Sequence, residues 1–184
     1  MQTLKSSGCV LDVRASPGNS FCDISRYHAA IANTAVVTAK GLGNSLAGKY
    51  NGTTAFLDVG DLNNTVNTVE LWCKPASIGV IEEILDLNGT QHIRATNGTI
   101  TAEGFAAPAI YVNGIVGAII STNWNQIVAT TTTLIDANDV DIGRLETSTF
   151  FNGIIFIARL YSRQLPAYEI LDHYYEYAAL LGVE

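Results

Sequence analysis

Acidic side chains are the first residues whose types could do chemistry, and they fall into two clusters. Glu82, Glu83 and Asp86 lie in VIEEILDL (80–87), while Asp136, Asn138, Asp139 and Asp141 lie in LIDANDVDIG (134–143). Two carboxyl groups can flank a glycosidic bond when strand alternation sets them on one face. The first cluster lacks that alternation, so it reads as a solvated strand edge. The second gathers the oxygen ligands a hard cation wants. It lacks the glycine of a twelve-residue calcium loop. No catalytic residue and no cofactor follow; a hard cation such as calcium is what such oxygen ligands would hold, here or in the loop around Asp23. Cys9, Cys22 and Cys73 cannot all pair within one chain, and their spacing matches no zinc or redox pattern. They read as free thiols packed as small hydrophobes. His92 and His173 have no partner pattern and read as ordinary polar positions.

The elements that must position these groups are short. Runs rich in Val, Ile, Thr and Phe recur as AFLDVG (55–60), TVELWCK (68–74), HIRAT (92–96), QIVATTTTLI (126–135) and FFNGIIFIARLYS (150–162). Asn-Gly pairs at 51–52, 88–89, 97–98, 113–114 and 152–153 punctuate them, as tight hairpins require. Asn51, Asn63, Asn88 and Asn97 also head Asn-x-Thr triplets, which read as turns before they read as glycan acceptors. Many short strands at this spacing predict an all-β sandwich or jelly roll. One helix is expected at the end, with Pro166 at its first position, Ile170, Leu171, Tyr174, Ala178 and Leu181 as its apolar stripe, and Gly182 as its stop.

Composition sets the bounds. The 184 residues fit one domain, 48% are apolar and 15% charged, and no apolar run approaches the ~20 residues that cross a bilayer. A net charge of −7 with scattered Lys and Arg argues against nucleic acid. Residues 1–20 lack the apolar stretch and cleavage site of a secretion signal.

Six segments in order resemble the concanavalin A-like lectin/glucanase superfamily in its laminin G-like form, as found in bacterial and phage surface proteins. They are DISRYHAAI (23–31), KYNGTTAFLDVGDL (49–62), TVELWCKP (68–75), YVNGIVGA (111–118), NWNQIVAT (123–130) and IGRLETSTFFNGIIFIARLYSRQLPAYEI (142–170). The resemblance implies a jelly-roll sandwich of two antiparallel sheets with a short C-terminal helix. It divides the chain into an N-terminal strand or arm, 1–20, and the domain itself, 21–184. Trp72 and Trp124 match the family's core tryptophans and are expected to be structural, contributing with Ile142, Phe151 and Ile155 to the core between or beside the two sheets. Phe156, Ile157 and Ala158 replace the usual acidic pair before Arg159, which points to an extra buried contact on that strand. Glucanases of the superfamily present E-x-D-x-x-E from one strand, and that pattern is absent.

Function is therefore expected to be binding without catalysis, with a glycoside hydrolase the disfavoured reading. Loops on a rigid sandwich carry recognition, so Tyr27, His28 and Asn123 are the candidate ligand-binding residues. Tyr175 and Tyr177 are candidates for an interface with another chain, since Tyr174, Tyr175 and Tyr177, crowded on one helix, cannot all face one stripe. The expected setting is a virion surface protein of a phage or virus, such as a capsid decoration, fibre or tail component. Its partners would be other structural chains in an oligomer, together with host glycans. The alternative is a secreted bacterial lectin-like module, and the expected location is the virion surface or the extracellular space.

Overall fold

In the computed structural model, which describes residues 7–181, the alternating apolar runs form seventeen strands and one helix. The first six strands are β1 (Cys9–Ser16), β2 (Ser20–Asp23), β3 (Ala32–Thr34), β4 (Val37–Lys40), β5 (Leu46–Asn51) and β6 (Phe56–Gly60). The long β7 (Thr65–Pro75) is followed by β8 (Ile81–Asp86), β9 (His92–Thr96), β10 (Thr99–Glu103), β11 (Ala109–Val112) and β12 (Ile115–Val116). The chain closes with β13 (Asn125–Asp136), β14 (Val140–Ile142), β15 (Arg144–Leu145), β16 (Thr149–Phe150), β17 (Asn152–Tyr161) and α1 (Ala167–Leu181).

Two antiparallel sheets face each other. The larger runs β12-β11-β13-β7-β17-β1-β2, with β5 pairing the start of β17 and β4 pairing β5. The smaller runs β10-β9-β8-β14-β6-β3, and β15 and β16 form a separate hairpin. Residues 1–6 and the expected stop at Gly182 lie outside the described residues. Within residues 7–20, β1 is an interior strand of the large sheet, between β17 and β2.

Strand period explains where the core sits. Side chains alternate between faces, so β7 sends Val69, Leu71 and Cys73 inward, where they meet Ile127 and Ala129 of β13 and Leu160 of β17. Leu57, Ile84, Ile93 and Ile142 close the same cluster from the small sheet, with Phe151 and Ile155. The other face of β7 is buried as well, because α1 lies across it. Trp72 is fully buried there, its ring parallel to Tyr174 at 5.9 Å and edge-on to Tyr177 at 5.7 Å. Phe156 meets Tyr177 at 5.8 Å and the half-buried Trp124 at 6.4 Å. The two tryptophans therefore pack under the helix, outside the inter-sheet core. The buried contact expected on β17 is made by the chain's own helix.

A polar network also lies beneath α1. Glu70, next to Trp72 on β7, is fully buried and accepts hydrogen bonds from the Tyr161 hydroxyl (2.7 Å) and the Gln126 amide (3.0 Å). His173 Nδ1 stands 3.0 Å from the same carboxylate, and Arg159 lies 3.6 Å away. The reading of His173 as an ordinary polar position is thus corrected: it is 5% exposed and anchors the helix on the Glu70 carboxylate. Burial alone would raise Glu70, but His173, Arg159 and Tyr161 outweigh it and hold the carboxyl at about 2. Burial lowers His173, and the hydrogen bond and charge of Glu70 overcome that to raise it. Beside this network, Asp12 accepts from Arg14 (2.6 Å) and Arg159 (3.0 Å), and both guanidinium groups donate to the Tyr177 hydroxyl.

Candidate functional site: a cleft at one end of the sandwich

The site begins at a corner where the Asn51-Gly52 turn lies beside Asn152 and Gly153, which open β17 as paired strand and not as the turn expected at 152–153. β5 ends at Asn51 opposite Asn152, the first residue of β17, and the Asn152 carbonyl accepts the Ala76 amide at 2.9 Å. The Asn51 side chain folds the turn by accepting the amides of Thr53, Thr54 and Ala55 at 2.9–3.0 Å. Gly52 follows at φ +75°, where a Cβ would sit 2.9 Å from the Asn152 Cβ. Glycine is required there both by the left-handed backbone and by the close approach.

Between this corner, the start of β8 and the β15–β16 hairpin opens a cleft of about 460 Å³. Thr53, Ser77, Ser148 and Thr149 line it with hydroxyls, Asn152 with an amide, and Phe150 and Ile81 with apolar surface. Glu82 is the one acidic residue of the lining, and no basic residue contributes among the described ones. Its register, opposite Ala95, turns it to the inner side of β8, and it is 3% exposed. Burial pushes its carboxyl up to about 7, against a hydrogen bond from the Asn152 backbone amide. The Oε1 atom has no partner within the protein. A buried acceptor left unsatisfied costs stability, which marks Glu82 as more than a surface acid.

The expectation of a solvated strand edge is corrected for all three acids of the first cluster. The β15–β16 hairpin folds onto β8, and Glu82, Glu83 and Asp86 are each 3% exposed or less. Glu83 pairs with Arg94, with the buried His92 ring 3.8 Å from its other oxygen, so His92 is no ordinary polar position either. Asp86 accepts the amides of Asn88 (3.1 Å) and Gly89 (2.8 Å) and shapes the turn after β8.

The second acidic cluster does not converge on a point. Asp141 pairs with Arg144 at 2.6 Å, whereas Asp136, Asn138 and Asp139 are exposed. Burial is the largest influence on Asp141 and raises it to about 6, the Arg144 hydrogen bond and charge opposing. Asp23 uses its carboxylate to build a loop, accepting the amides of Asp12, Ser25 and Ala29 and the Ser25 hydroxyl. Among the described residues no group of three or more His, Cys, Asp or Glu side chains is set to hold a metal.

The candidate ligand residues do not come together. Tyr27 is stacked under Arg26, whose guanidinium carbon lies 4.8 Å from the ring centre, and it bonds Asn64, the residue before β7. His28 sits beside it at φ +51°, its ring nitrogen 3.3 Å from the Asp23 carbonyl. Asn123 is an exposed turn residue near the other end of β7, where Asn125 pairs with Cys73. At ~3.3 Å per residue, β7 holds the two places on the order of 30 Å apart. None of the three lines the cleft. Of the interface candidates, Tyr175 is 61% exposed. Tyr177 is corrected: it is 7% exposed within its own chain, wedged between Trp72, Phe156 and the two arginines, and needs no assembly to bury it.

No protein-family model matches the chain, and no curated protein matches it in sequence. Solved structures do match its fold. The botulinum neurotoxin type G receptor binding domain superposes with a TM-score of 0.60 at 14% identity, over 92% of this chain and 51% of that one. The binding domain of botulinum neurotoxin DC in complex with SialylT gives 0.56 at 11% identity, over 92% and 52%. A botulinum neurotoxin type C structure, described with cell entry that depends on two ganglioside molecules, gives 0.55 at 11% identity over 92% and 51%. The chain thus spans about half the length of these structures. At such identities the likeness establishes a β-sandwich shared with binding domains.

Proposed function

We propose that this chain is a non-catalytic glycan-binding domain whose ligand lies in the end cleft. The lining carries the reading: hydroxyls and an amide for sugar hydroxyls, the Phe150 ring for an apolar sugar face, and a single acid, Glu82. Hydrolysis of a glycosidic bond needs two carboxyl groups across the bond, and the described lining supplies one. The neurotoxin structures support the class, since one is in complex with SialylT and another is described with gangliosides. The test is a glycan array on the purified protein, followed by Phe150→Ala. The expected result is a defined set of glycan hits that weakens about tenfold with the variant. An array without hits refutes the reading.

The wider setting we propose is a virion surface, with the domain as a decoration, fibre or tail component in contact with other copies. Supporting it, Tyr168 and Tyr175 stand one heptad apart on the outward face of α1 and are 70% and 61% exposed. Light scattering coupled to size exclusion, on the parent and on Tyr175→Glu, tests this: an oligomer lost in the variant is expected, and a monomeric parent overturns it.

A further inference from the structure

The cleft carries one acceptor without a donor, and that asymmetry says what kind of sugar fits. Glu82 is held from below by the Asn152 amide alone, with Oε1 unpaired, and the side chain is almost wholly removed from water. The rest of the lining is neutral. Hydroxyls of Ser77, Ser148 and Thr149 can donate or accept, so they accommodate either polarity. No lysine, arginine or histidine of the described lining can neutralise a ligand's negative charge.

We propose that Glu82 is the specificity-determining residue of the cleft: its Oε1 accepts a hydroxyl hydrogen bond from a neutral saccharide and bars sugars that carry a carboxylate or sulfate. The inference rests on the glycan reading above. A hydroxyl donated to Oε1 gives a buried acceptor the partner it lacks, and a charge-assisted bond of this kind is stronger than a neutral one. An acidic sugar in the same position would set two like charges together in a desolvated place with no cation between them.

Protonation of Glu82 should oppose binding, because the charged acceptor is then lost. Its surroundings support a single titration. From β7 it faces Cys73, whose thiol burial keeps protonated well above neutrality. From β17 it faces the Asn152 amide, from β9 its register partner Ala95, and from the hairpin Ser148, Thr149 and Phe150, none of them ionisable. The carboxyl, raised to about 7, therefore changes charge across the neutral range.

The test uses the whole chain with a panel of neutral oligosaccharides and their sialylated and sulfated counterparts, read by isothermal titration calorimetry. Neutral members should bind and acidic ones should not. Glu82→Gln should weaken the neutral ligands by about 10- to 100-fold and shrink the discrimination against acidic ones. The parent's affinity should rise about tenfold or more from about pH 5.5 to about pH 8.5, and that of Glu82→Gln should stay flat. Should the variant fail to fold by circular dichroism, the parent's pH profile and its neutral-to-acidic ratio decide the matter. Preference for acidic glycans, a flat parent profile, or an unaltered affinity in the variant overturns the role of Glu82 and leaves the glycan reading standing. A panel with no binder of either kind removes the glycan reading, and this inference with it.

Discussion

Replacing Glu70 with Gln keeps the shape of a fully buried side chain and removes the charge on which the helix-anchoring network depends. The folded carboxyl sits at about 2, against an ordinary value of 4.5. That difference corresponds to roughly 3 kcal/mol of folding stability, and removing one partner of a buried pair typically costs ~3–5 kcal/mol. For a chain of this length the midpoint of thermal unfolding should fall by on the order of 10 °C. The pH dependence separates this mechanism from a mere packing defect. The Glu70 contribution, from a depressed acid, is complete above 4.5 and is lost as pH falls towards about 2. The His173 contribution, from a raised base, is complete below 6.5 and is lost as pH climbs through its folded value. Parent stability should thus peak between about pH 4.5 and 6.5 as far as this pair governs it. In Glu70→Gln the imidazole keeps its burial and the nearby Arg159 charge and retains only Glu169 as a raising influence. Its folded pKa should then drop below 6.5, and stability should rise with pH over the same range. Urea titrations at several pH values, with NMR titration of the His173 ring, measure both. A variant within about 0.5 kcal/mol of the parent, or a His173 that titrates above 6.5 in both proteins, refutes the reasoning.

Trp72→Ala should cost ~3–5 kcal/mol, and because the ring lies under α1, limited proteolysis should cut within the helix before the strands. Cys22 is exposed, whereas Cys73 is buried and burial foremost raises Cys9 to about 12. A thiol reagent should therefore label the native protein at Cys22 and reach the other two only on unfolding, as mass spectrometry would show. Asp141, 2% exposed, is raised to about 6 from 3.8, so its charge burdens the fold fully above 6 and not at all below 3.8. Asp141→Asn should leave stability near pH 3.5 unchanged and raise it by up to roughly 3 kcal/mol at about pH 8; an unchanged or lowered denaturation midpoint there would show that the Arg144 pair outweighs the desolvation.

Which parts of this architecture were legible in the sequence follows from the range of the interactions involved. Strands announce themselves through period-two alternation and Asn-Gly turns, which are local, so the β-sandwich and its closing helix were readable. The face on which a buried residue lies depends on what crosses above it. β7 reads as one apolar run because α1 covers its outer side, so Trp72 and Trp124 could be assigned to a core without revealing that it lies outside the sheets. Tyr177 shows the same limit: the sequence places it on a helix, and only the β1 and β17 arginines that meet its hydroxyl, 163 and 18 residues away, make it interior. Glu82 is the sharper case. Its neighbours in sequence, Glu83 and Asp86, invite the reading of a wetted acidic edge, and hydropathy favours that reading. What reverses it is a hairpin sixty-odd residues later in the chain folding over β8, together with the Asn51-Gly52 turn brought beside the start of β17 by sheet pairing. The Asn51-Gly52 turn was visible, but the pair expected as a turn at 152–153 is strand, and the cleft exists only where the two meet. A carboxylate kept inside such a corner with an unpaired oxygen is a liability to the fold. A ligand hydroxyl donated to that oxygen would remove the liability, which ties the least legible residue of the chain to the function proposed for it.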